Sequence, residues 1–279
     1  MNKWLIGFLT ATPLVLWAII VLGGMAMEAI FKGDKNQPWR SKLLNIGNGL
    51  VLCVFTFLMA PLTGLFAYES SRSIEGFINL QFFSAYNALW QIACGLLYIA
   101  AADFLYYFWH RAQHTIPVLW DIHAVHHSEM SFNVTSYLRH HWLEVPVQTV
   151  LIALPINLLF QFEPLTAGAA QIIVSFLVFF SHMNIRLELG RCSWVVTGPQ
   201  IHRLHHSVLP RHRNTNYAQF LPIFDVLFGT YVAPAPREFP PTGLPGDTRM
   251  ENLSDLTLWP FKQWMRRLKR KTDSSALLP

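Results

Sequence analysis

The stretch Asp103-Phe-Leu-Tyr-Tyr-Phe-Trp-His110-Arg-Ala-Gln-His114-Thr-Ile-Pro117-Val-Leu-Trp120-Asp-Ile-His123-Ala-Val-His126-His127-Ser128 decides how this chain is read. It emerges from an apolar run and ends in histidines set at helical spacings. His110 and His114 stand at i and i+4, so they share one helix face one turn apart. His123, His126 and His127 stand at i, i+3 and i+4 and again share a face. Pro117 breaks the chain between the two groups, so two helices can present them to each other. Farther along, His202-Arg-Leu-His205-His206 repeats the second spacing. All twelve histidines lie between His110 and His212. Imidazole is the commonest metal ligand among side chains, and eight rings in three groups exceed the roughly four to six ligands one ion uses. The pattern predicts two ions.

Outward from this stretch the chain is apolar. Hydrophobic residues make up 52% and charged residues 13%, against about 25% charged in soluble domains. Five charge-free runs stand out: Trp4–Met27, Leu43–Tyr68, Gly76–Ala102, Val145–Phe162 and Pro164–Ile185. The first three exceed the roughly 20 residues a helix needs to cross the hydrocarbon core. The fourth is short and holds Pro146 and Pro155, and a tight turn joins it to the fifth as a helical hairpin. Trp4–Met27 is too long for a typical signal peptide and reads as a retained helix. The loop 31–42 carries Lys32, Lys35, Arg40 and Lys42 against Asp34, whereas 68–84 carries Arg72 against Glu69 and Glu75. The positive-inside rule puts the first loop, and with it every histidine, on the cytoplasmic side. That side is the inner membrane's in a bacterium and the endoplasmic reticulum's in a eukaryote. The expected fold is an all-α, multi-pass transmembrane bundle of about four to five spans with a cytoplasmic, histidine-rich helical metal cap.

The remaining histidines extend the set. His141 begins the fourth run and His182 ends the fifth, where an ionisable residue is a functional candidate by default. His140 and His212 sit beside arginines and read as interfacial or solvated. Asp103, two helical turns before His110, can accept the second ring N–H of a ligating histidine. No HExxH, GxSxG or carboxylate-rich ExxH pattern occurs, which argues against zincins, serine hydrolases and soluble di-iron bundles. Residue types alone leave iron, zinc, copper and nickel open.

The run from Asp103 to Ser128 resembles the fatty acid hydroxylase / sterol desaturase superfamily of membrane histidine-box proteins. Arg139-x-His141-x-x-Glu144 resembles the family's arginine–histidine–glutamate segment, with Trp142 where a proline is common. His182 with Asn184, the His202-x-x-His205-His206 box, Asn216-Tyr217-Ala218 and Asp225-x-x-Phe228-Gly229-Thr230 follow in the family's order. The resemblance runs from about 85 to 231. It implies a di-iron centre that uses O2 against an unactivated C–H bond of a lipid: a fatty acyl chain, sterol, carotenoid or related molecule. Matched position by position, it implies His110, His114, His123, His126, His127, His141, His182, His202, His205 and His206 as ligands to two iron ions. Zinc can replace iron in a purified sample. Asp103, Glu144, Asn184 and Asp225 are implied as the outer partners that orient the ligands. The first span has no counterpart in the family's core of two hairpins and reads as an addition.

The chain then divides into N-terminal transmembrane helices and loops (1–84), a catalytic core (85–231) and a basic C-terminal tail (232–279). The tail's run from Lys262 to Lys271, with Trp259, Phe261 and Trp264, can lie on anionic headgroups or be solvated. Walls of a substrate groove come from the spans, with Phe104, Tyr107 and Phe108 as candidates and plain helix packing as their alternative role. No flavin, nicotinamide or iron–sulfur signature occurs, so an external ferredoxin, cytochrome or reductase must supply electrons. The three cysteines form no CxxC, and no nucleic-acid motif is present. A desaturase on the same scaffold is the nearest alternative. A zinc-dependent membrane hydrolase, needing neither oxygen nor reductant, is the alternative of another class. A metal carrier would line its spans with ligands, whereas these lie beyond the span ends.

Overall fold

The computed structural model describes residues 3–31, 33–73, 76–81, 87–246 and 248–275. Lys32, Glu75 and residues 82–86 of the third apolar run lie outside the described residues, as do 276–279 of the tail. The chain is mostly helical, at 66%. Its long elements are α1 (Lys3–Ile30), α2 (Trp39–Ser73), α3 (Ala88–Thr115), α4 (Pro117–His127), α5 (Glu144–Leu159), α6 (Pro164–Ser181) and α9 (Leu253–Ser275). Two short helices, α7 (Pro199–His205) and α8 (Ile223–Leu227), lie between α6 and α9. Among the described residues, Trp39–Met59 and Ala88–Thr115 are long and apolar enough to cross a membrane, while Val15–Ile30, Glu144–Leu159 and Leu165–Ser181 are shorter apolar helices.

Local chemistry sets the helix ends that matter. Asn87 caps α3, its side-chain oxygen accepting the Leu89 N–H at 2.8 Å. α3 stops at Thr115 because Ile116 precedes a proline and is extended. Pro117 then starts α4 at the position where its missing N–H costs nothing. The predicted break between the first two histidine groups therefore falls at Pro117. α5 is not uniform. A π turn at Thr149–Ala153 precedes Pro155, widening the helix where proline cannot donate to the preceding turn.

One end of each long apolar helix reaches the histidine layer: the C-terminal ends of α1, α3 and α6 and the N-terminal ends of α2 and α5. At the other end the α5–α6 connection meets the segment before α3. There β1 (Ile78–Asn79) pairs in parallel with β2 (Phe160–Gln161), Ile78 opposite Phe160. Between the helices lies an apolar core that includes Val21, Ile99, Val134, Leu138, Val178, Phe179 and Phe220.

α1 is keyed into this structure. A Cβ added at Gly24 would come within 2.6 Å of Val134, so α1 passes close to a 3-10 turn at Val134–Leu138. One turn on, buried Glu28 accepts the backbone N–H of Val134 at 2.6 Å and of Asn184 at 2.7 Å, with Lys42 at 3.8 Å. α2 contributes likewise. Asn45 donates to Glu129 and Thr135, and Asn48 donates to the carbonyls of Leu138 and His140. These polar side chains, set within apolar helices, fix the loop that leads from α4 to α5.

Glu28→Ala would leave two buried N–H groups without an acceptor. We expect a loss of about 2–4 kcal/mol, seen as a lower thermal midpoint of the detergent-solubilised protein. Glu28→Gln keeps an acceptor oxygen and should lose less than half as much. Equal losses in the two variants would contradict this account.

Candidate metal centre

Helices α3, α4 and α7 and the C-terminal end of α6 deliver nine histidines to one buried layer. They form two groups. His110, His114, His123, His127 and His205 offer ring nitrogens that all lie within 4.8 Å of one another, and so do His126, His182, His202 and His206. The groups share a wall, where His127 stacks on His206 with ring centroids 4.2 Å apart. α4 serves both, with His123 and His127 in the first group and His126 in the second. α7 does the same, with His205 in the first group and His202 and His206 in the second.

The protonation of several rings is dictated by their partners. His110 Nδ1 donates to the Tyr217 carbonyl at 2.7 Å, and His205 Nδ1 donates to the Thr215 carbonyl at 2.8 Å. His182 Nδ1 donates to the Val178 carbonyl at 2.6 Å. A carbonyl can only accept, so Nδ1 carries the proton and Nε2 is left as a lone pair. His123 Nδ1 faces the Glu144 carboxylate at 3.4 Å, which favours the same tautomer. His110 Nε2 and His123 Nε2 then point at each other 3.0 Å apart. In the second group His182 Nε2 lies 3.2 Å from His126 Nε2 and 3.0 Å from His202 Nε2. Lone pairs converging in a dry interior repel unless a cation lies among them. Further ring nitrogens, including His114 Nε2, His127 Nε2 and His205 Nε2, are buried with no hydrogen-bond partner. Burial holds the rings of His126, His127, His202 and His206 well below the ordinary histidine pKa, and those of His182 and His205 at about 3. All are neutral near pH 7 and available as ligands. With metal–nitrogen bonds of about 2.1 Å, adjacent ligands sit about 3–3.4 Å apart, as these do. The residues fit two ions.

The partners that orient the rings are mostly backbone. Residues 215–221 run across the first group, and two buried carboxylates pin them. Asp103 accepts the N–H groups of Gln219 (2.8 Å), Phe220 (3.1 Å) and Leu221 (2.6 Å). Asp225 accepts those of Tyr217 (2.7 Å) and Ala218 (2.8 Å) and the Thr230 hydroxyl (2.7 Å). Asn216 takes a left-handed conformation (φ 59° at Asn214, 55° at Asn216), which turns the Thr215 and Tyr217 carbonyls toward His205 and His110. Asp103 therefore touches no histidine ring, contrary to the sequence expectation. It acts one step back, through the strand of backbone that does. Asn184 likewise meets no ring; its side chain pairs with the backbone of Asp34 and ties the chain after His182 to the α1–α2 loop.

His140 and His141 fall differently from the sequence expectation. His141 Nε2 donates to the Thr257 carbonyl at 3.0 Å, and its Nδ1 accepts the Leu143 N–H at 3.2 Å. Both nitrogens are taken, and the ring lies outside both groups. His140 instead stacks on His126, centroids 3.9 Å apart, and approaches Glu144 at 3.2 Å. With His123 and Glu144 it forms a third set of convergent donors. The signal was present: His140 and Glu144 stand at i and i+4, whereas His141 is one residue off that face. His212 is buried beside Glu238 and Arg211, away from the groups.

A cavity of about 630 Å³ opens beneath this layer, between α2, α3, α5 and α6, and reaches Trp17 of α1. Its walls are largely apolar, and His140, His141 and Glu144 are part of its lining. Tyr106 and Tyr137 also line it, packed beside His110 and His140. Phe104, Tyr107 and Phe108 do not line it; they pack on Phe228, with Phe104 also against Phe224 and Tyr107 against Tyr217.

Residues 95–230, just under half of the chain, match the fatty acid hydroxylase family. Alkylglycerol monooxygenase of Xenopus tropicalis is 26% identical over 210 residues, covering 70% of this chain and 43% of that protein. Ornithine lipid hydroxylase OlsE of Rhizobium tropici is 33% identical over 146 residues, covering 52% and 42%. Very-long-chain aldehyde decarbonylase GL1-6 of rice (Oryza sativa subsp. indica) is 27% identical over 150 residues, covering 50% and 23%. The chain thus spans less than half the length of these relatives. No solved structure matches it significantly.

Elemental analysis of the purified protein should give two metal ions per chain. His126→Ala and His205→Ala should each lower that number and abolish turnover. Asp225→Ala should weaken metal retention about 10–100-fold by releasing the backbone that aims His110 and His205. His141→Ala should keep nearly two ions, and metal loss in it as complete as in His126→Ala would put His141 in the centre.

Proposed function

We propose that this chain, whose residues 95–230 match the fatty acid hydroxylase family, is an oxygen-dependent lipid hydroxylase. The reading that fits best is a multi-pass membrane protein with a di-iron centre facing the cytoplasm. Its five apolar helices cross the bilayer, and the basic 31–42 loop and α9 lie on the side of the histidines, in keeping with the charge rule. The observation that carries the proposal is the cavity. It is largely apolar, and its lining includes His140 and Glu144, which contact His126 of one histidine group and His123 of the other. An alkyl chain entering it would bring a C–H bond up to the place where both groups meet.

Two iron ions held by His110, His114, His123, His127 and His205, and by His126, His182, His202 and His206, would supply the activation of dioxygen. One oxygen atom enters the C–H bond, and the other leaves as water with two electrons and two protons from outside. The chain's own residues do the rest. From Glu144 to Ile156 the α5 wall of the cavity runs 12 residues, or about 18 Å, which suits an extended alkyl chain. Leu52, Val174 and Val178 exclude water along it. The His140–Glu144 pair forms its polar stop and sets which carbon halts beneath the centre. Electrons come from a separate carrier, a ferredoxin, cytochrome or reductase.

The test is lipid analysis of cells with and without the gene under labelled dioxygen. A lipid that gains one labelled oxygen atom supports the proposal. A new alkene without label would make the protein a desaturase, and turnover without oxygen would make it a hydrolase. Ile156→Trp should lower kcat/KM for the longest accepted chain by about 10–100-fold while sparing shorter ones. Equal loss for all lengths would contradict the placing of the chain end.

A further inference from the structure

The C-terminal helix α9 has three faces, and the core uses only one. On the docked face Leu256 is fully buried among Val125, Met250 and Trp259. Arg267 makes a two-pronged ion pair with Asp121 of α4, at 2.8 and 2.9 Å, and Trp264 donates to the Val118 carbonyl. These contacts fix the rotation of the helix about its axis. A second face carries Leu258, Phe261, Met265 and Leu268, spaced three or four residues apart. Leu258 is 45%, Met265 56% and Leu268 64% exposed. Beside it lies a third face with Lys262, Arg266, Lys269 and Arg270, all exposed.

The apolar face is continuous with the outer wall of α2. Phe55 contacts Trp142 at 4.6 Å between centroids, Trp142 contacts Phe261 at 6.2 Å, and Phe261 contacts Trp264 at 5.3 Å. Val54, Phe57 and Leu58, around Phe55, are themselves 60–67% exposed. The aromatic row thus joins a helix wall that suits lipid to the outward side of α9. Indole rings at such a height mark the boundary between acyl chains and headgroups.

We propose that α9 lies in the plane of the membrane surface, its Leu258–Leu268 row immersed at the acyl boundary and its basic row on anionic phospholipid headgroups. An acidic carrier protein would match the charge of the basic row, in which Lys262 also lies 3.8 Å from Asp255, but leave the apolar row in water. A leaflet with negative charge satisfies both. The inference rests on the membrane-spanning reading of α2 and α3. Through Arg267 and Asp121 the same helix holds α4, and α4 carries His123, His126 and His127, so seating on lipid also steadies the metal layer.

The test uses the full chain in vesicles of phosphatidylcholine with and without phosphatidylglycerol. Spin labels are placed on single cysteines by Met265→Cys, Leu268→Cys, Arg266→Cys and Phe57→Cys in a cysteine-free background. Labels at 265 and 268 should be shielded from a water-soluble nickel chelate about threefold or more relative to 266 in anionic vesicles. The shielding should fall when Lys262, Arg266, Lys269 and Arg270 are together changed to Gln. The proposal is overturned if 265 and 268 are as accessible as 266 while 57 is shielded. Shielding that appears only after an acidic carrier protein is added overturns it too. An accessible label at 57 would instead remove the membrane-spanning reading itself.

Discussion

Converging lone pairs in a dry interior are the constraint around which the molecule is arranged. Hydrogen bonds from Nδ1 to main-chain carbonyls leave His110, His182 and His205 with bare Nε2 atoms directed inward. Neutral rings so placed gain nothing from one another. They are held there by surrounding structure, in an arrangement that cations would stabilise. That is why so much of the chain's polar chemistry lies just outside the histidines, in groups that position backbone and leave the ligands to the metal.

The outer layers form a hierarchy. Asp103 and Asp225 grip residues 217–221 from two sides, and that segment aims two rings. Arg139, buried, joins Ser128, Asn45, Glu129 and the Met250 carbonyl, linking α4, α2 and the C-terminal segment. Glu28 and Asn184 bind α1 to the chain after His182. The first helix, an apparent addition when the sequence is compared with the family's two hairpins, thus closes one side of the metal layer and contributes Trp17 to the cavity. Each of these polar groups sits on or beside an apolar helix, where burial makes an unpaired donor expensive and a paired one decisive for register.

Helical spacing carried most of the site in the sequence. The pairs His110/His114 and His126/His127 with His123, and the box His202–His206, could be read from their intervals because helix faces are set locally. The break at Pro117 was equally legible, since proline acts on its own turn. What local rules could not reach was the choice between His140 and His141. The His140/Glu144 interval favours His140, whereas the family pattern favours His141, and the contact with Thr257 that engages His141 comes from more than a hundred residues away. The roles of Asp103 and of the Thr215 and Tyr217 carbonyls were hidden for the same reason. Main-chain acceptors have no residue type to betray them, and the cavity depends on five helices whose mutual packing no single stretch encodes.

The clasp between Arg267 and Asp121 bears on biosynthesis. The rings that meet in the metal layer come from residues 110 to 206, yet the helix that secures α4 is made some sixty residues later. Until α9 is made, α4 has its contacts to α3 and to Arg139 and Glu144 but lacks the clasp to Arg267. Metal entering at that stage would meet a histidine layer still without this clasp. The layer would reach its final geometry only once α9 has docked on α4.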